Sequence, residues 1–461
     1  MKVKKLFLAI LIVSFFIIPN YLFSQGLGNT ISFPSADDTD GVYYATTDDG
    51  VKLVVKRYRP FKNDEFNKGK QPVILFNGIA ASMYDFMVRT TAETKNLYRD
   101  FELDKDKIAE WAKDDIYVQK DPMLYYSIAY YLWKFGYDVW LSHYRGTGVG
   151  ALKSELNSQG ISLDQWIVYD GPAIIDKVYE ITNIPPIIGG HSTGGFVSYG
   201  YLQGAYFDEI SGHVRNSKEL AEQRNNFVRG FIALDPAGNP PLPQFINLPP
   251  IWSIVGLPIF LPVGDIISVI TNNTNLLTPG NVIEYAINLS MRSVYGFDQA
   301  TFGRSLFQYL SMLNTDNMNK YLVDFYVRYF TTGFPLRGYG QYYDNGMNRT
   351  IREFWKNGSE NTNKVVGPKP APNDGYYYYI DNMDLIKVPT ITILSESESL
   401  VNVEGTFRDI INRKNSHILD EWMVVPNSGH VDLVISEVTA KHVYYYLRNW
   451  LNRMQAAGYI N

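Results

Sequence analysis

The chain has 461 residues and no cysteine. This absence excludes disulfide bonds, zinc sites with thiolate ligands, lipid anchors on cysteine and a cysteine nucleophile. An excess of positive charge is also lacking, because 42 Lys and Arg residues stand against 47 Asp and Glu. Since no cluster of Lys and Arg alternates with aromatic residues, we expect no nucleic-acid partner. Hydrophobic residues, by contrast, form 46% of the chain, enough for a large core.

Long apolar runs are also lacking, except near the start of the chain. The basic residues 1–5 precede an apolar run at 6–19, which is the pattern of a secretory signal. The run is shorter than the ~20 residues that a membrane-spanning helix needs. We therefore predict a signal peptide at residues 1–24 and an exported protein that is secreted, periplasmic or surface-associated.

The rest of the sequence alternates between short apolar strands and helices. Asp49-Gly50 joins the first two predicted strands in a hairpin. Further strands are expected at 72–76, 137–141, 186–188, 228–234, 389–394 and 422–425, and the last helix at 433–451. This alternation predicts an α/β fold with a mostly parallel sheet flanked by helices. A polar insertion is expected at about residues 88–121.

Residues 239–386 do not continue the alternation. Their first part combines many prolines with apolar side chains, and their later part is rich in tyrosine. We predict that this segment forms a large cap inserted before the seventh strand; an ordinary second subdomain with its own core is the alternative. The core domain then consists of residues 40–238 and 387–461.

The segment Gly190-His191-Ser192-Thr193-Gly194 is a G-x-S-x-G motif. In this motif the serine occupies a sharp turn between a strand and a helix, which exposes its hydroxyl. The pattern alone arises easily by chance, but here an apolar strand precedes it and a helix-compatible sequence follows. Ser192 is therefore predicted to be a catalytic nucleophile.

A serine hydroxyl needs a base, and the chain has six histidines. His430 follows the last predicted strand, so it should lie at the same carboxyl edge of the sheet as Ser192, and we predict that it is the base. His143 also ends a strand at that edge and is its rival. His191 adjoins Ser192 but is expected to point away from it.

Two carboxylates compete to orient the histidine. Glu398 follows the strand at 389–394, and Asp235 follows the strand at 228–234, so both keep the order serine, acid, histidine along the chain. We prefer Glu398. The oxyanion hole is predicted to use the N–H groups of Thr193, next to the nucleophile, and of Ile79, in the loop after the third strand.

Four segments resemble the acid lipases of the gastric and lysosomal type, within the α/β-hydrolase superfamily. They are the loop 77–82, the run 136–141 with Arg145-Gly146, the pair Tyr169-Asp170 and the turn 190–192. The resemblance implies an α/β-hydrolase sheet and ester hydrolysis. The sequence departs from this family at Asn77 and Glu398, where histidine and aspartate are usual.

No dinucleotide, phosphate-loop or metal-ligand spacing is present in the sequence, so we expect no cofactor and no metal. Together these patterns predict an exported serine hydrolase that cleaves carboxylic esters through an acyl-enzyme. Its expected partners are a small-molecule or lipid ester, with hydrophobic acyl esters preferred, and a lipid interface that it contacts peripherally. Two alternatives stay open: an acyltransferase or peptidase with the same triad, and a catalytically inactive surface binding protein.

Overall fold

The computed structural model of the chain describes residues 41–59, 71–92, 94–104, 106–148, 152–237, 257–262, 314–330, 332–348, 350–354, 375–396 and 401–461. The strands among these residues are β1 (Val42–Thr46), β2 (Lys52–Tyr58), β3 (Pro72–Phe76), β4 (Asp138–Ser142), β5 (Ile187–His191), β6 (Ala205–Asp208), β7 (His213–Asn216), β8 (Gly230–Leu234), β9 (Phe260–Leu261), β10 (Phe334–Pro335), β11 (Thr390–Ser395) and β12 (Glu421–Val425). The main α-helices are α1 (Ile116–Lys120), α2 (Ile128–Lys134), α3 (Gly171–Thr182), α4 (Thr193–Leu202), α5 (Lys218–Phe227), α6 (Lys320–Phe325), α7 (Leu336–Asn348) and α8 (Tyr444–Ala456).

Eight of these strands form one sheet in the order β1-β2-β4-β3-β5-β8-β11-β12. Six strands of this sheet are parallel to one another: β4, β3, β5, β8, β11 and β12. Strands β1 and β2 form the predicted hairpin, and β2 pairs with β4 in the antiparallel direction. Strands β3, β4, β5 and β8 are buried along their whole length, because elements cover both faces of the sheet there. The predicted α/β fold with a mostly parallel sheet is confirmed.

The carboxyl ends of the parallel strands place four loops at one edge of the sheet. Asn77 follows β3, Ser192 follows β5, Asp235 follows β8, and the loop that carries His430 follows β12. In open α/β sheets this edge is where ligands bind. The fold therefore gathers the predicted site residues of these loops on one side of the molecule.

The predicted polar insertion, at about residues 88–121, contributes several side chains to the hydrophobic core. Val88, Tyr98, Phe101 and Val118 are buried and belong to the core that covers one face of the sheet. Its charged residues, which suggested a polar segment, alternate with these apolar anchors. The segment therefore extends the hydrophobic core.

The last helix begins later than its apolar pattern predicts. Ser436 accepts hydrogen bonds through its hydroxyl oxygen from the N–H groups of Val438 and Thr439, which makes it the N-terminal cap. A wider π-type turn at Thr439–Val443 then leads into α8. Local capping thus overrides the hydrophobic period at residues 433–436.

The chain between β8 and β11 includes the predicted cap at 239–386. Since β11 is the seventh strand of the large sheet along the chain, this interval lies where the cap was expected, but much of it falls outside the described residues. The described parts include the strand pair β9 and β10 and the helices α6 and α7. The predicted signal peptide at 1–24 also falls outside the described residues. Within the described ranges, every helix is too short or too polar to cross a membrane.

Candidate active site

Ser192 stands on the turn between β5 and α4. Its backbone has φ 55° and ψ −116°, a combination that residues other than glycine rarely adopt. Backbone hydrogen bonds hold it there: its N–H donates to the Leu234 carbonyl at 2.9 Å, and its own carbonyl accepts from the Ala237 N–H at 2.8 Å. The motif's strained strand-to-helix turn is therefore present.

Two glycines of the motif are required by packing. A Cβ on Gly190 would lie 2.5 Å from the carbonyl carbon of Gly194, and a Cβ on Gly194 would overlap the carbonyl oxygen of Phe76 at the end of β3. No larger residue fits at either position without a shift of the backbone. The turn at Ser192 consequently packs directly against the strand that leads into the loop of Ile79.

His430 lies beside this turn, in the loop after β12. Asp432 fixes the loop, because its Oδ2 accepts from the N–H groups of Gly429 and Asn314, both at 2.7 Å. The centroid of the His430 ring is 4.4 Å from that of His191, the residue before Ser192. The predicted base thus packs on the residue that directly precedes the predicted nucleophile, although the two lie far apart in the sequence.

Asp235 follows β8 and faces His430. Its Oδ2 is 3.7 Å from His430 Nδ1. The carboxylate is buried and is held by Ser395 at the end of β11, which donates through its N–H to Oδ1 at 2.8 Å and through its hydroxyl to Oδ2. Glu398, the other candidate for this role, lies outside the described residues.

A second pair of histidine and carboxylate lies next to the first, and sequence reasoning missed it. His191, expected to point away from the nucleophile, packs on His430, and its Nε2 donates to the His430 carbonyl at 3.0 Å. Its Nδ1 is 3.7 Å from Oδ2 of Asp85, which also accepts from the Gly78 N–H at 3.2 Å. No motif marks Asp85 in the sequence. This pair links the loop after β3 to the loop of His430.

Burial shifts the pKa of one group in each pair, His430 and Asp85. Burial lowers the pKa of His430 below its ordinary value, although the nearby carboxylates of Asp235 and Asp85 oppose this effect. Burial also raises the pKa of Asp85, against the opposing effect of His191. The site therefore favours a neutral imidazole at His430, which is the form that accepts a proton.

The two predicted oxyanion donors lie next to each other, Thr193 at the start of α4 and Ile79 in the adjoining loop after β3. Thr193 is the first residue of α4, so its N–H has no acceptor within the helix. The N–H of Ile79 donates to Oγ1 of Thr193 at 3.0 Å, and this oxygen is 2.6 Å from the hydroxyl of Tyr342 on α7. Asn77, which departs from the lipase pattern, donates through Nδ2 to the Gly78 carbonyl at 3.0 Å and so braces the loop.

Unusual backbone conformations concentrate at this edge. The described non-glycine residues with positive φ are Ala80, Asn183, Ser192, Asp235 and Asn427. Asn183 ends α3, where a left-handed residue is ordinary. The other four lie in the loops after β3, β5, β8 and β12. Such conformations cost about 1–3 kcal/mol each and cluster at functional sites.

His143, the predicted rival of His430, is held by the backbone on both sides of its ring. Its Nε2 accepts from the Met83 N–H at 3.0 Å, and its Nδ1 lies 2.7 Å from the Leu152 carbonyl, to which it donates. Burial lowers the pKa of His143 to about 4. With both ring nitrogens occupied, His143 supports the loop and is not available as a base.

Two residues that carried the resemblance have a structural role. Arg145 donates to the buried carboxylate of Asp170 at 2.8 Å and to Asp49 at 2.6 Å, so it ties the hairpin of β1 and β2 to the start of α3. Among the described residues, no three or more His, Asp or Glu side chains are grouped so that they could hold a metal ion.

Comparison with known proteins finds a partial sequence similarity to a lipase. No family model matches the chain. Part of the chain is 27% identical, over 168 residues, to lipase lipl-3 of Caenorhabditis elegans, a match that covers 35% of this chain and 34% of the lipase. The chain thus spans about a third of the length of this relative. The predicted resemblance to lipases is confirmed.

Solved structures with a similar fold include esterases and lipases. A soluble variant of monoglyceride lipase from Saccharomyces cerevisiae, in complex with a substrate analogue, has a TM-score of 0.43 at 12% identity, with 92% of this chain and 97% of that chain covered. A thermophilic esterase from Thermogutta terrifontis has a TM-score of 0.37 at 12% identity, with 90% and 99% covered. The fold is that of an α/β hydrolase. The sheet order and the turn at Ser192 define it independently of these similarities.

Proposed function

We propose that this α/β hydrolase cleaves carboxylic esters, with Ser192 as the nucleophile and His430 as its base. The observation that carries this proposal is the position of His430, whose ring packs on His191 beside the strained turn that presents Ser192. The lowered pKa of His430 supports its role, because the neutral ring is the proton acceptor. The similarity of part of the chain to a lipase supports the same reaction class.

The reaction proceeds in two acyl transfers. Ser192 Oγ attacks the acyl carbonyl carbon while His430 takes its proton, and the carbonyl becomes an oxyanion. Collapse of this intermediate breaks the ester bond, and the leaving alcohol takes the proton from His430. Water then attacks the acyl-enzyme by the same route, which releases the carboxylic acid and restores the hydroxyl of Ser192.

The third member of the triad is Asp235 or Glu398. The distance of 3.7 Å between Asp235 Oδ2 and His430 Nδ1 supports Asp235 as the acid. The hydrogen bond from the Ser395 N–H, which fixes the Asp235 carboxylate, supports the same assignment. Glu398 follows β11 in the sequence and is therefore still a candidate for the same role. Either carboxylate would stabilise the imidazolium that forms during attack.

The oxyanion is stabilised by the N–H groups of Ile79 and Thr193. A preorganised donor of this kind contributes about 3 kcal/mol to transition-state stabilisation. Thr193 is well suited because it begins α4, where the helix dipole also favours negative charge.

The substrate class is a hydrophobic acyl or lipid ester. The sequence of the predicted cap at 239–386 supports this, because its apolar, proline-rich start has the composition that suits binding of an acyl chain. We further propose that residues 1–24 direct export, and that the exported protein contacts a lipid interface peripherally to reach its substrate.

The test is hydrolysis of p-nitrophenyl esters with acyl chains of increasing length, below and above the concentration at which they form micelles. Ser192→Ala is expected to abolish turnover. Ser198→Ala is a matched control from the same helix, because its hydroxyl only donates to the Gly194 carbonyl at 2.8 Å. A hydrolysis rate that does not change when the esters form micelles would contradict the proposed contact with a lipid interface. The proposed esterase activity would remain.

Three further outcomes would change the assignment. If added alcohols or amines capture the acyl group in preference to water, the protein is an acyltransferase. If peptides but no esters are cleaved, it is a peptidase. If no ester, peptide or acyl acceptor gives Ser192-dependent turnover, the fold serves binding and the proposed function is wrong.

A further inference from the structure

Helix α7 covers both proposed oxyanion donors. Gly338 and Tyr342 are four residues apart and so share one face of this helix. A Cβ on Gly338 would lie 3.0 Å from Cδ1 of Ile79, so the helix backbone packs closely on this side chain. One turn later, the Tyr342 hydroxyl reaches Oγ1 of Thr193 at 2.6 Å.

The N–H of Ile79 already has an acceptor. It donates to Thr193 Oγ1 at 3.0 Å, a normal hydrogen-bond length. An amide has a single hydrogen, so it cannot serve this hydroxyl and a substrate oxyanion at full strength. The hydroxyl of Thr193 therefore lies where the substrate oxyanion would have to accept from the Ile79 N–H.

The Tyr342 hydroxyl holds Thr193 in this rotamer. Burial raises the pKa of Tyr342 far above its ordinary value, so the hydroxyl stays protonated and available for the hydrogen bond. Threonine is branched at Cβ and has few alternative rotamers. A rotation of Thr193 that released Ile79 would also break the contact with Tyr342.

The backbone around Ile79 is held in place by the segment before α7. The Ala80 carbonyl accepts from the Thr332 N–H at 2.8 Å, and the Ser82 N–H donates to the Phe330 carbonyl at 2.7 Å. A shift of the loop would break these bonds. When the substrate carbonyl enters, the side chain of Thr193 therefore rotates away and the loop of Ile79 stays in place.

We propose that the Thr193 hydroxyl and Tyr342 are positioning residues that mask the Ile79 N–H until substrate displaces them. This inference rests on the proposed ester hydrolysis at Ser192. Under this proposal, the hydrogen bond between the Ile79 N–H and Thr193 Oγ1 breaks in the same step in which the oxyanion forms. Loss of the Thr193 hydroxyl consequently makes the donor available in advance, and loss of the Tyr342 hydroxyl makes its release easier.

The test compares kcat for a short-chain p-nitrophenyl ester, expressed per active site titrated with a fluorophosphonate so that any misfolded fraction does not count. Tyr342→Phe and Thr193→Val are each expected to raise kcat by about twofold to tenfold, the range of one net hydrogen bond. Because both changes act on the hydrogen bond between Ile79 and Thr193, the double variant should gain no more than the larger single effect. Thr193→Ser keeps the hydroxyl and should raise kcat less than Thr193→Val does.

Tyr339→Phe, on the same helix, is the control and should leave kcat unchanged. An equal or lower kcat in either Tyr342→Phe or Thr193→Val overturns the inference, because the hydroxyls would then assist or merely support the site. A parent protein without Ser192-dependent turnover would instead remove the proposed function itself. The two failures are therefore distinguishable.

Discussion

Two pairs of histidine and aspartate lie side by side in this site, and they differ in what their histidines bind. In both pairs Nδ1 of the histidine is 3.7 Å from the carboxylate, between His430 and Asp235 and between His191 and Asp85. The Nε2 of His191, however, donates to the backbone of His430. His191 therefore supports the loop that carries the base, and similar spacing does not mean similar function.

The pairs also differ in where their carboxylates come from. Asp235 follows a strand of the sheet and is bound by Ser395 at the end of the next strand, so the sheet itself fixes it. Asp85 lies in the short turn Met83–Asp85 and binds the Gly78 N–H in the loop of Ile79. The first pair is suited to orient a base, and the second joins the loops on which the base and the oxyanion donor lie.

The sharpest way to break this comparison is to remove each histidine in turn. His430→Gln should lower kcat by about 10⁴- to 10⁶-fold, because it removes the base of the triad. His191→Gln keeps an N–H donor for the His430 carbonyl and should cost only about tenfold to a hundredfold, through misplacement of the loop. Steady-state kinetics with a soluble ester measures both. Equal losses would mean that His191 also takes part in the chemistry.

The next largest effect should identify the acid. If Asp235 orients His430, Asp235→Asn should lower kcat by about 10⁴-fold, because the amide stabilises the wrong tautomer. Glu398→Gln should then change kcat by only a few fold. The same kinetic assay decides, with circular dichroism as the control for folding. A large loss in Glu398→Gln alone would make Glu398 the acid and leave Asp235 a structural role.

The pH profile of kcat/KM tests the difference in electrostatics. In the proposed mechanism the neutral ring of His430 is the active form, so activity should fall as pH drops through its pKa. Because burial lowers this pKa, the acid limb should have its midpoint below about 6.5, the value of an unperturbed histidine. His191→Gln should leave the midpoint in place. A midpoint at or above that value would contradict the neutral, buried base.

The smallest expected effect concerns the stability contributed by the second pair. Burial raises the pKa of Asp85, so the folded protein binds this proton more tightly than the unfolded chain and loses stability as pH rises from about 4 through the raised pKa. Asp85→Asn does not titrate and keeps an acceptor for the Gly78 N–H. Its Tm relative to the parent should therefore be higher at pH 7.5 than at pH 4, by about 2 °C or more. The same Tm difference at both pH values would show that Asp85 titrates as it does in water.

Local sequence patterns were sufficient to predict the sheet and the loops that carry the proposed nucleophile and base. The apolar strands, the hairpin at Asp49-Gly50 and the glycines around Ser192 each follow from short-range constraints, and the parallel strands then place Ser192 and the His430 loop at one edge. Other features depend on contacts between distant residues that carry no motif. The pairing of Asp85 with His191 and the contact of Tyr342 with Thr193 are of this kind.

Two segments show why composition misleads. The insertion at about 88–121 looks polar because charged residues surround a few buried aromatic anchors such as Tyr98 and Phe101. The last helix starts late because the hydroxyl of Ser436 caps its first turn. In both cases one or two side chains decide the structure, and an average over the window hides them.

The most direct test of the site is covalent labelling of Ser192 with a fluorophosphonate, read by intact mass and peptide mapping. A nucleophile activated by His430 should take up one label per chain at Ser192, Ser192→Ala should take up none, and His430→Gln should react far more slowly. A parent protein that resists labelling, or a label that persists in Ser192→Ala, would contradict the assignment of Ser192 and His430 as a catalytic pair.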